Sequence, residues 1–263
     1  MAKITKRTTK VLSRSGKVLN RRATPRRART TPAGKIGKMT RQPVRQSPRR
    51  PIQPASVLAN LTHFELSYAP AYPNGRGGKQ VTAVLGPGLA QLASSGWTNA
   101  KGETLTKLKD AQAKYPRLGL VAGHLLNARF GGPGDDPKNL TILSAGGNHH
   151  HQAFDNPVAQ AVGKLAAFYE VLRRGGVGVS RHTYGIRVTI SVSEQTWGNQ
   201  EADKYICDHL VCVAELTGQR PRFNRLDRAQ KALAIDLLAE IEKDLNQAND
   251  FRADGRIVHN TKR

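Results

Sequence analysis

The clearest pattern in the chain lies at 186–193, where Ile186, Val188, Ile190 and Val192 alternate with Arg187, Thr189, Ser191 and Ser193. A period of two with one apolar face predicts a half-buried strand. Val81, Ala83 and Leu85 alternate in the same way within KQVTAVLGPG, where Gly-Pro-Gly ends the run as a turn. A further strand is expected over 118–126 and a short return strand over 139–143, with KGETLTKLKDAQAKY between 101 and 115 forming one short helix. Farther on the period lengthens. Val158, Val162, Leu165, Tyr169 and Leu172 mark one helical face, which Asn156-Pro157 would open as N-cap and first-turn proline and Arg173, Arg174 and Gly175-Gly176 would close. The stretch 201–216, stopped by Gly218, and the stretch 226–245, apolar at 226, 229, 233, 237, 241 and 245, read as two amphipathic helices forming a C-terminal helical hairpin over 199–248. With few strands, no βαβ alternation and no internal repeat, the class is α+β.

Composition divides this picture in two. Only 38% of the residues are apolar, low for a wholly folded chain of 263 residues. Seventeen of the 42 basic residues precede Pro51, and the first acidic residue is Glu65, so the first fifty positions carry +17 of the net +23. The remainder, with 25 basic against 19 acidic residues, carries +6. Residues 1–55, typified by RRATPRRART and SPRRPIQP, lack periodic apolar content and cannot offset the entropy of ordering. They are expected to be a disordered basic arm, with folded sequence from about Ser56 over 56–263. A polyanionic partner is the first expectation from such charge. The arm can be read as a nucleic-acid-binding or loading signal, as a solubilising tail, or as an organelle transit peptide, since it is rich in Arg and Ser and free of acid.

Two cysteines, Cys207 and Cys212, provide no disulfide framework, and the expected helix would turn them to different sides. They are expected to be reduced and partly buried. No apolar run reaches the length of a membrane span, and the N-terminus lacks the apolar core of a secretory signal, so membrane association is not expected.

Chemistry concentrates in GHLLNARFGGPGDDPKNLTILSAGGNHHH, residues 123–151. Phosphodiester hydrolysis requires a base for water, positive charge beside the phosphate and a proton for the leaving oxygen. A histidine with pKa near 6.5 suits the first requirement, and His124 stands where a strand meets a loop. Gly123 before it would leave room for substrate. The stretch 130–139, dense in Gly, Pro and Asp, must be irregular, and Asn139 can hold it by bonding its backbone. Asn148, at a helix start, offers a hard amide oxygen, and magnesium accepts as few as one or two protein ligands. His149, His150 and His151 point about 100° apart on a helix and cannot all ligate one ion. Of these, His151, one turn from Asn148, is a candidate phosphate or metal contact, with an exposed polar face as the simpler reading. His63, His182, His209 and His259 lack local constellations and read as structural.

The segment resembles the His-Me finger (ββα-metal, HNH-like) nuclease superfamily, closest to its non-specific DNA/RNA endonuclease and bacterial polymorphic-toxin branches. The resemblance rests on GHLL, GGPG and Asn139-Leu140 ahead of a helix-borne Asn148, over residues 121–151. It implies a ββα core over 116–174 with flanking antiparallel strands and C-terminal helices. It also implies His124 as general base, Asn148 as ligand of one divalent ion, Mg2+ or Mn2+, and Asn139 as loop organiser. Arg129, five residues past His124, is a candidate to neutralise charge on the phosphate. The chain departs from many relatives in having Val121 and Ala122, with no acidic residue, before Gly123, and Asn156 where some carry a Glu eight residues after the metal ligand. Function is expected to be metal-dependent cleavage of DNA, RNA or both with little sequence specificity, since phosphate contacts attract without specifying. The resemblance further implies an antagonistic effector, cytoplasmic in its producer and exported without a signal peptide through a secretion or contractile injection apparatus, with an acidic immunity protein as partner. The alternative is a non-catalytic nucleic-acid-binding or packaging protein working through the arm. A processing nuclease with a defined substrate is a third reading.

Overall fold

The computed structural model describes residues 56–92, 99–250 and 256–258. The expected disordered arm at 1–55 and His259 lie outside the described residues. The chain divides into units Met1–Arg50 and Pro51–Arg263, and the fold below is that of the second.

The order of elements is α1 (Ser56–Ala59), β1 (His63–Tyr68), β2 (Gln80–Leu85), α2 (Leu89–Leu92), α3 (Leu108–Lys114), β3 (Leu120–His124), β4 (Leu140–Ser144), α4 (Ala145–Arg174), β5 (Gly185–Val192), β6 (His209–Thr217), α5 (Arg228–Asn249) and β7 (Arg256–Val258). Five strands form an antiparallel sheet in the order β1-β2-β5-β6-β7, and β3 pairs with β4 as a separate antiparallel hairpin. The class is therefore α+β.

One face of the large sheet is apolar, and the long helices cover it. Val81, Ala83 and Leu85 of β2 and Ile186, Val188 and Ile190 of β5 share one core with Phe154, Leu165 and Leu172 of α4 and Ile241 and Leu245 of α5. The alternation read at 186–193 is thus the real inward face of β5. A second apolar cluster, with Leu108 and Ala111 of α3, Leu120 of β3, Leu140 and Ile142 of β4, and Ile206, lies beneath the hairpin. Between the two cores the hairpin is also stitched sideways: Gly78 N donates to Leu140 O at 2.7 Å, and Ile142 bridges Ile206.

Three sequence expectations are corrected. The stretch 201–216 is not a helix and the C-terminal hairpin of helices over 199–248 does not form: Glu201–Tyr205 is one 3-10 segment, and His209–Thr217 is the strand β6. Leu210, Cys212 and Ala214 point inward there, but outward-facing Val211 and Val213 make both faces apolar and hide the period of two. Cys207 and Cys212 are reduced thiols, buried as expected, although neither is helical. Burial pushes the Cys207 thiol up to about 11.

Asn156-Pro157, second, does not start a helix. The helix α4 begins twelve residues earlier, capped by Ser144, whose hydroxyl accepts from Gly147 N at 3.0 Å, and it runs through Pro157. An interior proline loses a helix hydrogen bond at a cost of about 3 kcal/mol. Burial of Phe154, Val158, Ala161 and Leu165 around it offsets that cost. Third, the apolar stripe of α5 is rotated at its N-terminal end: Leu233 is 50% exposed, while Ala234 is buried. Ile241 and Leu245 are buried as the spacing requires.

Candidate active site

The site is assembled from the end of β3, the loop that follows it and the first three turns of α4. The loop is held by Asn139. Its buried amide accepts from Leu126 N at 2.8 Å through Oδ1, and donates to Leu126 O at 3.0 Å and Pro133 O at 2.9 Å through Nδ2. Leu125 N donates to Asn139 O at 2.7 Å, so both ends of the irregular stretch are tied to one residue. Gly132 is required by that closure, because a Cβ there would stand 1.8 Å from Leu126 O.

His124 ends β3, half-buried, and lines a cavity of about 350 Å3 together with Asn148, His151 and Asp155 of α4 and Asn127 of the loop. Among the described residues its Nε2 is buried without a hydrogen-bond partner. Burial lowers its pKa below 6.5, Asp155 opposing and His151 reinforcing the shift, so the ring is neutral at pH 7. Asn148 is the fourth residue of α4 and lies against β3. The bareness of Gly123 serves this packing: a Cβ there would meet Leu143 Cδ1 at 2.4 Å and Asn148 Oδ1 at 3.2 Å.

Two placements differ from expectation. His151 is not on an exposed polar face. It is 3% exposed, its Nε2 has no hydrogen-bond partner and stands 3.9 Å from Asp155 Oδ1. Arg129 does not line the cavity; its Nη2 donates to Asn156 Oδ1 at 3.0 Å. Asn156 is thus the exposed partner of an arginine, and not a helix cap.

Asp155 was missed altogether. It is 1% exposed, Oδ2 accepts from Asn127 Nδ2 at 2.7 Å, and Oδ1 has no hydrogen-bond partner. Asn127 also steadies the loop by accepting from Arg129 N at 3.0 Å. The signal was the spacing 148, 151, 155, which places three side chains on one helical face.

The cavity therefore presents an unpartnered ring nitrogen on each of two histidines, an unpartnered carboxylate oxygen and the Asn148 amide. Leaving such groups unpaired in a protein interior costs about 1–3 kcal/mol each, a cost that water or a polar ligand in the cavity removes. Among the described residues no group of three or more His, Cys, Asp or Glu is placed to hold a metal ion. The lining side chains with oxygen donors are Asn148 and Asp155 of α4 beside Asn99, Asn127 and Gln152, a set with a single carboxylate, suited to an ion that keeps most of its waters. No helix among the described residues is long and apolar enough to cross a membrane. Comparison with known proteins finds no matching family model, no similar curated protein and no similar solved structure.

Proposed function

We propose that the protein is a metal-dependent endonuclease of low sequence specificity, acting on DNA, RNA or both, with the hairpin β3–β4 and the start of α4 as a ββα-metal core. The observation that carries this reading is the buried, unpartnered Nε2 of His124 in a cavity shared with Asn148 and Asp155. In the proposed reaction Nε2 removes a proton from a water molecule as its oxygen bonds to phosphorus, the bond to the leaving oxygen breaks, and that oxygen takes a proton from solvent. A neutral imidazole is needed for the first event, and burial provides it. Asn148 and Asp155 would hold one Mg2+ or Mn2+ ion. Such an ion, when bound, supplies charge that stabilises the phosphate and leaving oxygen. Asn127 aims the Asp155 carboxylate, and Asn139 keeps the loop from collapsing into the cavity. Arg129, held at Asn156, is a positioning residue of the rim in this account. Export as an antagonistic effector and neutralisation by an acidic immunity protein follow from the resemblance at 121–151 and are proposed with it.

The test incubates purified protein with plasmid DNA and total RNA in Mg2+, Mn2+ or EDTA, beside Asn148→Ala. Metal-dependent smearing that Asn148→Ala suppresses supports the reading; intact substrates under every condition refute it. Discrete fragments would instead indicate a processing nuclease. A second reading, a non-catalytic nucleic-acid binder, draws support from the sparse donor set and from the +17 carried by the first fifty residues. It requires that His124→Ala leave every measured activity unchanged.

A further inference from the structure

A second polar cavity, of about 420 Å3, lies where the loop entering β5 meets the loop between β6 and α5. Arg220, Arg222, Arg225 and His182 line it, and among the described residues no Asp or Glu does. A neighbouring cavity of about 400 Å3 shares His182, Thr183 and Gln219 with it and adds Arg181, Arg187 and one acidic residue, Glu65. The arginines nearby that have carboxylate partners are others: Arg173 and Arg174 bind Glu170, and Arg187 binds Glu215. Arg220 and Arg222 make no ion pair among the described residues. Exposed guanidinium groups without carboxylate partners leave a positive surface open to an anion.

The walls are fixed in advance. Thr183 and Gln219 bridge the two loops, with Gln219 N donating to His182 O at 2.7 Å. Arg225 Nη1 donates to Gly176 O at 3.2 Å, Ser180 N donates to Thr183 Oγ1 at 3.1 Å, and Arg220 lies 5.4 Å over the Phe223 ring. Loops tied in this way present guanidinium groups without first having to order them, which favours binding. Guanidinium forks match the paired oxygens of phosphate. The cavity follows the C-terminus of α4, whereas the His124 cavity flanks its start; from Asp155 to Arg174 the helix rises roughly 30 Å.

We propose that this cavity is a second, non-catalytic binding site for the phosphates of a nucleic-acid backbone, anchoring the substrate away from the cleavage site. The inference deepens the nuclease reading and rests on it for the identity of the ligand. Its test is the salt dependence of binding of the full chain to a 30-base-pair duplex without added metal. Each phosphate contact contributes about 0.9 to the slope of log K against log salt, so Arg220→Ala with Arg222→Ala should lower the slope by about 2. The charge-preserving pair Arg220→Lys with Arg222→Lys should restore it, which a merely structural role would not. Both side chains are exposed, so the thermal midpoint should hardly move.

A slope unchanged by the alanine pair overturns the proposal. So does equilibrium dialysis in which that pair abolishes ATP binding while the duplex slope stays the same, since the cavity would then serve a small phosphate ligand. A wild-type protein that cleaves nothing but shows the slope change refutes the nuclease reading and leaves this site standing.

Discussion

His63 and His124 are both half-buried histidines on strands, and burial lowers the pKa of each. They differ in what the ring meets. His63 Nε2 lies 2.6 Å from Phe130 O, packed against Gly131, and so helps to fasten the loop to β1. His124 Nε2 meets no acceptor or donor among the described residues and belongs to a cavity wall. Equal burial and an equal direction of shift therefore accompany different jobs. A lowered pKa alone does not mark a base; an unsatisfied nitrogen beside open space does.

The largest effect is expected from His124→Ala, which should reduce metal-dependent cleavage about 10²- to 10⁴-fold, read as kcat/KM on a defined oligonucleotide. Next comes the loop that follows His124 and that His63 fastens to β1. Asn139→Ala strips Leu126 of both its side-chain partners and should cost about 2–4 kcal/mol, read from the midpoint of urea unfolding.

A third comparison is sharper in kind though smaller in size. The rate should rise with pH through a midpoint below 6.5 as His124 loses its proton. Asp155 is the group that opposes the lowering, because its negative charge favours the protonated ring. Asp155→Asn should therefore move the midpoint further down while also reducing activity; an upward move would contradict the assigned electrostatics.

The smallest effect should come from His63→Gln, whose glutamine still reaches a carbonyl: cleavage within about threefold of wild type and a stability loss of about 1 kcal/mol, read by thermal melting. Both native histidines bind protons less readily folded than unfolded. Stability should then fall as pH drops from about 6.5 toward their depressed values, because the unfolded chain gains protons first.

Much of the candidate site was legible in the sequence. His124 at a strand end, the Gly-rich loop, Asn139 as its clasp and Asn148 near a helix start all follow from local spacing, and local spacing is what a hairpin and a helix cap obey. Asp155 and the burial of His151 were not legible, for one shared reason. Asn156-Pro157 carries the signature of a fresh helix start, and so separates Asp155 from the helix expected to begin at Asn148. Tertiary burial overrode the proline, α4 extended back to Ala145, and 148, 151 and 155 fell on one face. The error at β6 has a different origin, since Val211 and Val213 on the outer surface erased the alternation by which β5 was recognised. The cavity at the far end of α4 has no local signature at all, because His182 and Arg220 meet only through the pairing of distant loops.

The central claim is that the free Nε2 of His124 acts as the base. Wild type and His124→Ala, first matched for thermal midpoint, are each incubated with supercoiled plasmid and Mg2+ over a time course. The account predicts nicking and linearisation by wild type, abolished by EDTA and at least about 100-fold slower in the variant. Equal cleavage by the two proteins, or none by wild type, would contradict it.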